Sequence, residues 1–150
     1  MIGLHNHSSG DIFIPDEASL ENALTRTTHL AIGAHSDDIE IMAYHGIVDC
    51  YGYRRKDKWF SGVTVTDGRG SSRVGPYSSC SDEEMIEIRK VEQRQAAMVG
   101  KYGSMFQLGY ESSVIMEKSG QKNLKEDLFK ILEQSSPEII YTHNPADKHD

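Results

Sequence analysis

The sequence lacks most of the features that would assign it to a specialised class of protein. Its 150 residues include two cysteines, Cys50 and Cys80, which are too few for a disulfide framework and are interpreted as bystanders. The net charge of −7 argues against a general surface for nucleic acid or anionic membranes. No apolar run approaches the roughly 20 residues that a membrane span requires, and no signal peptide is recognisable at the N-terminus. A soluble protein in the cytoplasm is therefore the default expectation.

The N-terminal segment, Met1–Thr28, is interpreted as a preface to the domain. Glycines and Pro15 interrupt any long element there, and only Glu17–Leu24 is expected to form a short helix. His5 and His7 in this segment could bind a metal, but a flexible polar terminus is the simpler interpretation. We therefore expect one domain over residues 29–150.

From His29 onward, patterns typical of strands and helices alternate. Short apolar or β-branched runs predict strands, and helical spacing behind two capping boxes predicts helices. This alternation implies right-handed crossovers, and therefore a Rossmann-like, three-layer α/β fold with a mostly parallel sheet. The predicted strands are His29–Ala34, Trp59–Thr66, Met105–Tyr110, Val114–Met116 and a buried Glu138–Thr142; the predicted helices are Ile39–Val48, one from Ser81 that Gly103 stops, and one capped at Asn123–Glu126 that Ser136–Pro137 ends.

Two polar clusters follow predicted strands, at the positions where open α/β sheets form ligand sites. His35-Ser36-Asp37-Asp38 follows the first strand, and residues 143–150 follow the last one. Imidazole and carboxylate groups are typical ligands of Zn²⁺, and one of two adjacent aspartates can bind a metal while the other faces its bound water. The simpler alternatives are a helix N-cap for the first cluster and a polar turn for the second.

Several motifs in this order resemble the family of LmbE-like and PIG-L-like de-N-acetylases. The family's Ala-His-Pro-Asp-Asp motif stands here as residues 34–38, with Ser36 in place of proline. An Arg-x-x-Glu helix motif fits residues 89–92, and residues 64–68 match the second strand and its loop. The final His-Pro-Asp-His type motif is matched only at its beginning, by residues 148–150. The resemblance covers about residues 29–150 and implies hydrolysis of an N-acetylated sugar or similar acetamide.

The resemblance implies which residues perform the chemistry. His35 and Asp38 would bind the metal, and Asp37 would be the general base that takes a proton from the metal-bound water. His149 would stabilise the oxyanion or protonate the leaving amine. The family's third metal ligand would fall beyond Asp150, so we expect a domain truncated at its C-terminus. The metal is expected to be Zn²⁺, although Fe²⁺, Co²⁺ or Mn²⁺ would suit the same ligands.

The substrate-binding residues follow in the same way. Arg89 would hold the substrate, with Glu92 fixing its orientation, and Lys148 would bind substrate oxygens. His143 follows the last strand and could either point into the site or replace the missing ligand. The glycine-rich stretch at residues 68–73 is interpreted as a mobile loop on the substrate side rather than a phosphate cradle, and His45 as structural.

Two alternatives to a de-N-acetylase stay open at this point. One is a sugar- or nucleotide-binding module without activity, which would have no need of Asp37 beside Asp38. The other is a metal-dependent hydrolase of a different amide, which would use the same residues. In either enzyme the partner is a small N-acetylated sugar conjugate or a related amide, and apolar surface at the last strand would favour association between chains.

Overall fold

In the computed structural model, which describes residues 2–5, 8–51 and 57–146, five strands form one sheet. The order across the sheet is β1–β4–β3–β2–β5, and every pairing is parallel except that of β1 with β4. The expected Rossmann-like α/β class with a mostly parallel sheet is confirmed. The strands are β1 (Asp11–Phe13), β2 (His29–Gly33), β3 (Phe60–Thr66), β4 (Ser104–Tyr110) and β5 (Ile139–Thr142).

Helices cover both faces of this sheet, and each face has its own hydrophobic core. Successive side chains of a strand point to opposite faces, and so Leu30 and Ala31 of β2 belong to different clusters. The Leu30 cluster includes Leu24 and Ile131 from helices α1 and α6, whereas the Ala31 cluster includes Ile39 from α2. The helices are α1 (Leu20–Thr25), α2 (Asp38–Met42), α3 (Tyr44–Asp49), α4 (Asp82–Gly100), α5 (Ser112–Ile115) and α6 (Lys118–Ser135), with a 3₁₀ turn at Gly75–Tyr77.

The segment before Thr28, which we expected to be a preface, is built into the fold. Its residues 11–13 form the edge strand β1 on β4, and Ile2 lies buried in the Leu30 cluster. The backbone N–H of His5 donates to Asp127 Oδ1 at 2.8 Å. These contacts join the segment to the sheet and to α6, where sequence reasoning predicted a flexible terminus; His7 lies outside the described residues.

The predicted helix Ile39–Val48 is two short helices, α2 and α3, because Ala43 between them leaves helical geometry at φ −111° and ψ 17°. The capping box at the start of α4 is confirmed, since Ser81 Oγ accepts from the Glu84 N–H and Glu84 accepts from the Ser81 N–H. Gly103 does not stop this helix. Lys101 does, in the left-handed conformation at φ 53°.

Two predictions after β4 were wrong. Val114–Met116 is not a strand: the Glu111 carbonyl accepts from Val114 N–H and Ile115 N–H, which closes the short helix α5. Asn123 is not an N-cap either, because α6 has already begun at Lys118. Gly120, which has no Cβ, lets α6 pack directly against Val114, where a Cβ would stand 2.0 Å from the backbone carbonyl oxygen.

The last strand was predicted to be buried, and this was also wrong. β5 lies at the edge of the sheet beside β2, and its Ile139 and Ile140 are 43% and 49% exposed. An apolar run therefore predicted the strand correctly but not its surroundings. In the described part of the chain, no helix is both long and apolar enough to cross a membrane.

Candidate active site

The first polar cluster meets His143, the first residue of the second cluster, where the order of the parallel strands reverses. From β2, the chain proceeds outward to β3 and β4 on one side and then returns to add β5 on the other. The crevice between the carboxyl ends of β2 and β5 is where ligands bind in sheets of this kind. His35 follows β2 and His143 follows β5, so the topology brings both to the same crevice.

His35, Asp38 and His143 converge on one carboxylate oxygen. His143 Nε2 lies 3.1 Å from Asp38 Oδ2, and His35 Nδ1 lies 3.5 Å from the same atom. The backbone N–H of His35 donates to this oxygen at 2.7 Å, and the Ala34 N–H donates to His143 Nε2 at 3.0 Å. Asp38 is mostly buried, with 24% of its side chain exposed. The backbone turn after β2 therefore holds the carboxylate against both rings.

The spacing of these atoms suits a divalent ion of the zinc type. Two ligands at about 2.0–2.2 Å from a tetrahedral zinc ion stand about 3.3–3.6 Å apart. The separation of His35 Nδ1 from Asp38 Oδ2, 3.5 Å, lies in this range, whereas that of His143 Nε2, 3.1 Å, is slightly shorter. The chemistry of the three groups also suits zinc. Among the described residues, however, no group of three such side chains is gathered closely enough to hold an ion. His35 and Asp38 therefore fit as two members of a ligand set that the described residues do not complete.

The backbone at Asp37 directs its side chain away from Asp38. Asp37 has the left-handed conformation, at φ 79°, and stands at the N-cap of α2 without a side-chain capping bond. Its Oδ2 accepts from Arg89 Nη2 at 2.5 Å, and its side chain is 66% exposed. The capping interpretation of this aspartate is thus not supported, and the two adjacent carboxylates have separate partners.

Arg89 connects α4 to the site. Its Nη1 donates to Glu92 Oε2, while its other end binds Asp37. Burial opposes the charge on the guanidinium, but the hydrogen bonds and charges of Asp37 and Glu92 outweigh burial and raise the pKa of Arg89. The side chain passes directly over Gly68, where a Cβ would stand 2.9 Å from Arg89 Cβ and Cγ.

The loop that follows β3 is cross-linked by charged groups. Asp67, whose side chain is buried, accepts from Arg69 Nε at 2.9 Å, and Arg69 Nη1 donates to Glu111 at 2.7 Å. Arg73 donates to three backbone carbonyls of the same loop, those of Arg69, Ser71 and Cys80, and to Asp82. Both arginines are thereby held within the loop, away from a phosphate-binding role.

A cleft with two lobes opens at these residues. His35, Thr66 and Ser112 line both lobes. One lobe, of about 400 Å³, is polar and includes Arg89 and Ser71. The other, of about 730 Å³, includes the Asp38 and His143 side chains together with apolar ones from α2 and α5.

The comparison with family models decides the assignment. The model described as "PIG-L: GlcNAc-PI de-N-acetylase" matches residues 30–150, which is most of the chain. The chain belongs to the PIG-L family. The resemblance drawn from the Ala-His-Ser-Asp-Asp motif is thereby confirmed.

A solved structure supports the same fold for this PIG-L family member. It is the N,N′-diacetylchitobiose deacetylase from Pyrococcus horikoshii, complexed with its inhibitor MPG, at a TM-score of 0.61 and 23% sequence identity. The match covers 83% of the present chain and 43% of the deacetylase chain, so this chain spans less than half the length of that protein. A search of curated proteins gives no match.

The positions of the predicted residues in this PIG-L member can now be stated. The structure brings His35, Asp38 and His143 together, and it places Asp37 and Arg89 in contact beside them. His45 is exposed on α3 and lines neither lobe. Lys148 and His149 lie outside the described residues.

Sequence reasoning missed three residues that shape the site. Thr66 and Ser112 stand where both lobes join, and Thr66 Oγ1 donates to the Ala34 carbonyl at 2.8 Å. Gly33 ends β2 where a Cβ would stand 2.9 Å from Asp38 Cβ. A small residue before the Ala-His-Ser-Asp-Asp motif was visible in the sequence, but its contact with Asp38 required the fold.

Proposed function

We propose that the protein is a metal-dependent de-N-acetylase that removes the acetyl group from an N-acetylated amino sugar. The observation that carries this proposal is the meeting of His35, Asp38 and His143 at the strand-order reversal. Membership of the PIG-L family supports the reaction class. The similar solved structure is that of a deacetylase of an acetylated chitobiose, which supports an amino-sugar substrate.

His35 and Asp38 would hold the metal ion, through His35 Nδ1 and Asp38 Oδ2. His35 Nδ1 and Asp38 Oδ2 lie 3.5 Å apart. The hydrogen bond that the His35 backbone N–H donates to Asp38 Oδ2 holds this carboxylate in place. Zinc suits the two ligands, and Fe²⁺, Co²⁺ or Mn²⁺ would also be accepted by them. When bound, the ion lowers the pKa of an attacking water and polarises the acetamide carbonyl.

Asp37 is the residue that would take the proton. It stands next to Asp38, its carboxylate accepts from Arg89, and its side chain is 66% exposed to solvent. In the reaction the water oxygen bonds to the carbonyl carbon, the C–N bond breaks, and the amine leaves with a proton. The products are acetate and the free amino sugar. By the family resemblance, His149 would stabilise the oxyanion or protonate the leaving amine.

Arg89 would orient the substrate rather than react with it. Its guanidinium lines the polar lobe together with Ser36, Gly70 and Ser71, and such groups can donate to sugar hydroxyls. Glu92 and Asp37 hold the guanidinium from two sides. A sugar ring placed in this lobe would present its acetamide to His35, which lines both lobes.

The test is release of acetate from the methyl β-glycoside of N-acetylglucosamine. The protein is assayed after loading with Zn²⁺, after treatment with a chelator, and after reloading. We expect acetate in the loaded samples only. If the chain binds the glycoside but releases no acetate with Zn²⁺, Fe²⁺, Co²⁺ or Mn²⁺, the non-catalytic binding module is supported instead. If acetate is released only from simple acetanilides, a different amidase is supported.

A further inference from the structure

The two lobes of the cleft differ in chemistry although they share a wall. The polar lobe is lined by hydroxyls, glycines and Arg89. The larger lobe is lined by His35, Asp38 and His143 and by four large apolar side chains: Ile41, Met42, Ile115 and Met116. A single substrate lying across His35, Thr66 and Ser112 would therefore meet two different surfaces.

Two of these four side chains, Ile41 and Met116, are exposed at the cleft, whereas Met42 and Ile115 are partly buried and pack against the two core clusters. Ile41 is 79% exposed and Met116 is 75% exposed. Other apolar side chains are as exposed, such as Val99 on α4 at 76%. Ile41 and Met116 differ from Val99 in that they line a concave surface that also contains Asp38 and His143. Ligand pockets commonly combine such an apolar lining with a few placed polar groups.

The acetyl group is too small to fill this lobe. It has one methyl and one carbonyl group, whereas the lobe measures about 730 Å³. The polar lobe suits the sugar hydroxyls better, because Arg89 and serines line it and can form hydrogen bonds with them. Among the described residues that line the larger lobe, there is no lysine or arginine to bind a phosphate.

We propose that the substrate carries an uncharged apolar group on its amino sugar, and that this aglycone lies against Ile41 and Met116. The inference rests on the proposed function, because it places the acetamide at His35 and Asp38. It also distinguishes this protein's substrate from a glycoside whose aglycone begins with a phosphate. The free-energy gain comes from burying alkyl or aryl carbons against the four apolar side chains.

The first experiment compares methyl, butyl and hexyl β-glycosides of N-acetylglucosamine, below micelle formation, on the zinc-loaded chain. We expect kcat/KM to rise about fourfold per fully buried methylene group, and about twofold where the lobe covers half of it. N-Acetylglucosamine 1-phosphate serves as the charged comparison and should be a poorer substrate than the hexyl glycoside. Equal kcat/KM for all alkyl chains, or preference for the phosphate, would overturn the inference while leaving the deacetylase proposal intact.

Variants of two residues in the larger lobe, with matched controls on α4, test whether the preference for longer alkyl chains arises in that lobe. Ile41→Asn and Met116→Gln should reduce the ratio of hexyl to methyl kcat/KM severalfold. Val99→Asn and Met98→Gln are the controls, because both residues are exposed apolar positions on α4 that line neither lobe; these should keep the wild-type ratio. A drop in the ratio that is equal in all four variants would contradict a binding role for α2 and α5.

A binding readout separates failure of this inference from failure of the proposed function. Hexyl β-glucoside has no acetamide, so it can bind but cannot be deacetylated. In a protein with ¹³C-labelled methionine methyls, its addition should shift the Met42 and Met116 signals and leave Met98 unchanged. Such shifts without any acetate release would refute the deacetylase alone. If the signals do not shift and the chain elutes as a dimer whose Met116 methyl is protected, a second copy covers this surface and the inference is wrong.

Discussion

His143 Nε2 lies 3.1 Å from Asp38 Oδ2, although the two residues come from opposite ends of the domain. Asp38 begins α2 after the interior strand β2, and His143 follows the edge strand β5. The contact therefore depends on correct pairing of β5 with β2, which is parallel and in register from His29–Ile139 to Ile32–Thr142. A functional site built in this way forms only when the sheet is complete on that side.

This contact predicts different effects for the two histidines on metal binding. His35→Ala should abolish measurable zinc binding, because it removes a proposed ligand. His143→Ala should weaken zinc affinity only about 10- to 100-fold, as expected for a group that positions a ligand carboxylate. Titration with a competing chromophoric chelator measures both. Complete loss of zinc in the His143 variant would make His143 itself the third ligand.

Asp37→Asn should separate catalysis from metal binding. Asparagine tolerates the positive φ of this position and can still accept from Arg89, so we expect the fold and the bound metal to be retained. Turnover should fall by about 10²–10⁴, the usual contribution of a general base. Steady-state acetate release and metal content are measured on the same preparation. Loss of metal equal to that in Asp38→Asn would instead place Asp37 among the ligands.

Gly68→Ala should disturb Arg89 and the fold together. The backbone at Gly68 has φ 81°, and a Cβ would stand 2.9 Å from the Arg89 side chain. We expect a loss of about 1–3 kcal/mol in the free energy of unfolding and a higher KM. Gly70→Ala is the matched control in the same loop, since nothing lies within 4 Å of its Cβ position. Thermal unfolding curves and KM values that are the same for both variants would contradict this account.

Asp16→Asn should reduce stability at neutral pH but not in acid. Asp16 Oδ1 accepts from Arg26 at 2.8 Å, and this hydrogen bond lowers the pKa of the carboxyl below 3.8. A lowered folded-state pKa contributes stability above the unfolded value, and the contribution is lost as the pH falls through the lowered pKa. Because the pair is partly exposed, we expect a difference below about 1 kcal/mol at pH 7.

Urea unfolding of both proteins at pH 7 and below pH 3 checks this prediction. The difference in the free energy of unfolding should disappear in acid. Arg26 also lies over the Trp59 ring at 3.6 Å, and that contact should survive the substitution. A difference that stays constant across this pH range would show that Asp16 acts through its shape rather than its charge.

The sequence predicted the central part of the fold because local signals there agree with their surroundings. β2, β3 and β4 lie in the sheet interior, so apolar and β-branched runs correspond to real burial. The Ser81 capping box is a local structure and formed as predicted. The errors fell where tertiary packing decides the outcome. Helix α6 begins at Lys118, before Asn123, and packs closely on Val114 through Gly120. The edge position of β5 exposes an apolar run that was predicted to be buried.

The candidate site was predictable in its residues but not in its contacts. Strand ends in a parallel sheet were enough to place His35, Asp38 and His143 at one crevice. The ion pair between Asp37 and Arg89 was not predicted, because it joins a left-handed turn to a distant helix. The apolar lobe was not predicted either, because Ile41 and Met116 lie near the site only through the orientations of α2 and α5.

The left-handed backbone of Asp37 has a consequence for laboratory evolution of this protein. An L-residue in this conformation is strained by roughly 1–2 kcal/mol relative to glycine, so Asp37→Gly relieves strain at the loss of one exposed ion pair. Selection for heat resistance alone would tend to enrich that substitution and would yield a more stable protein without the proposed general base. Libraries that cover this turn should therefore be sorted on acetate release as well as on melting temperature.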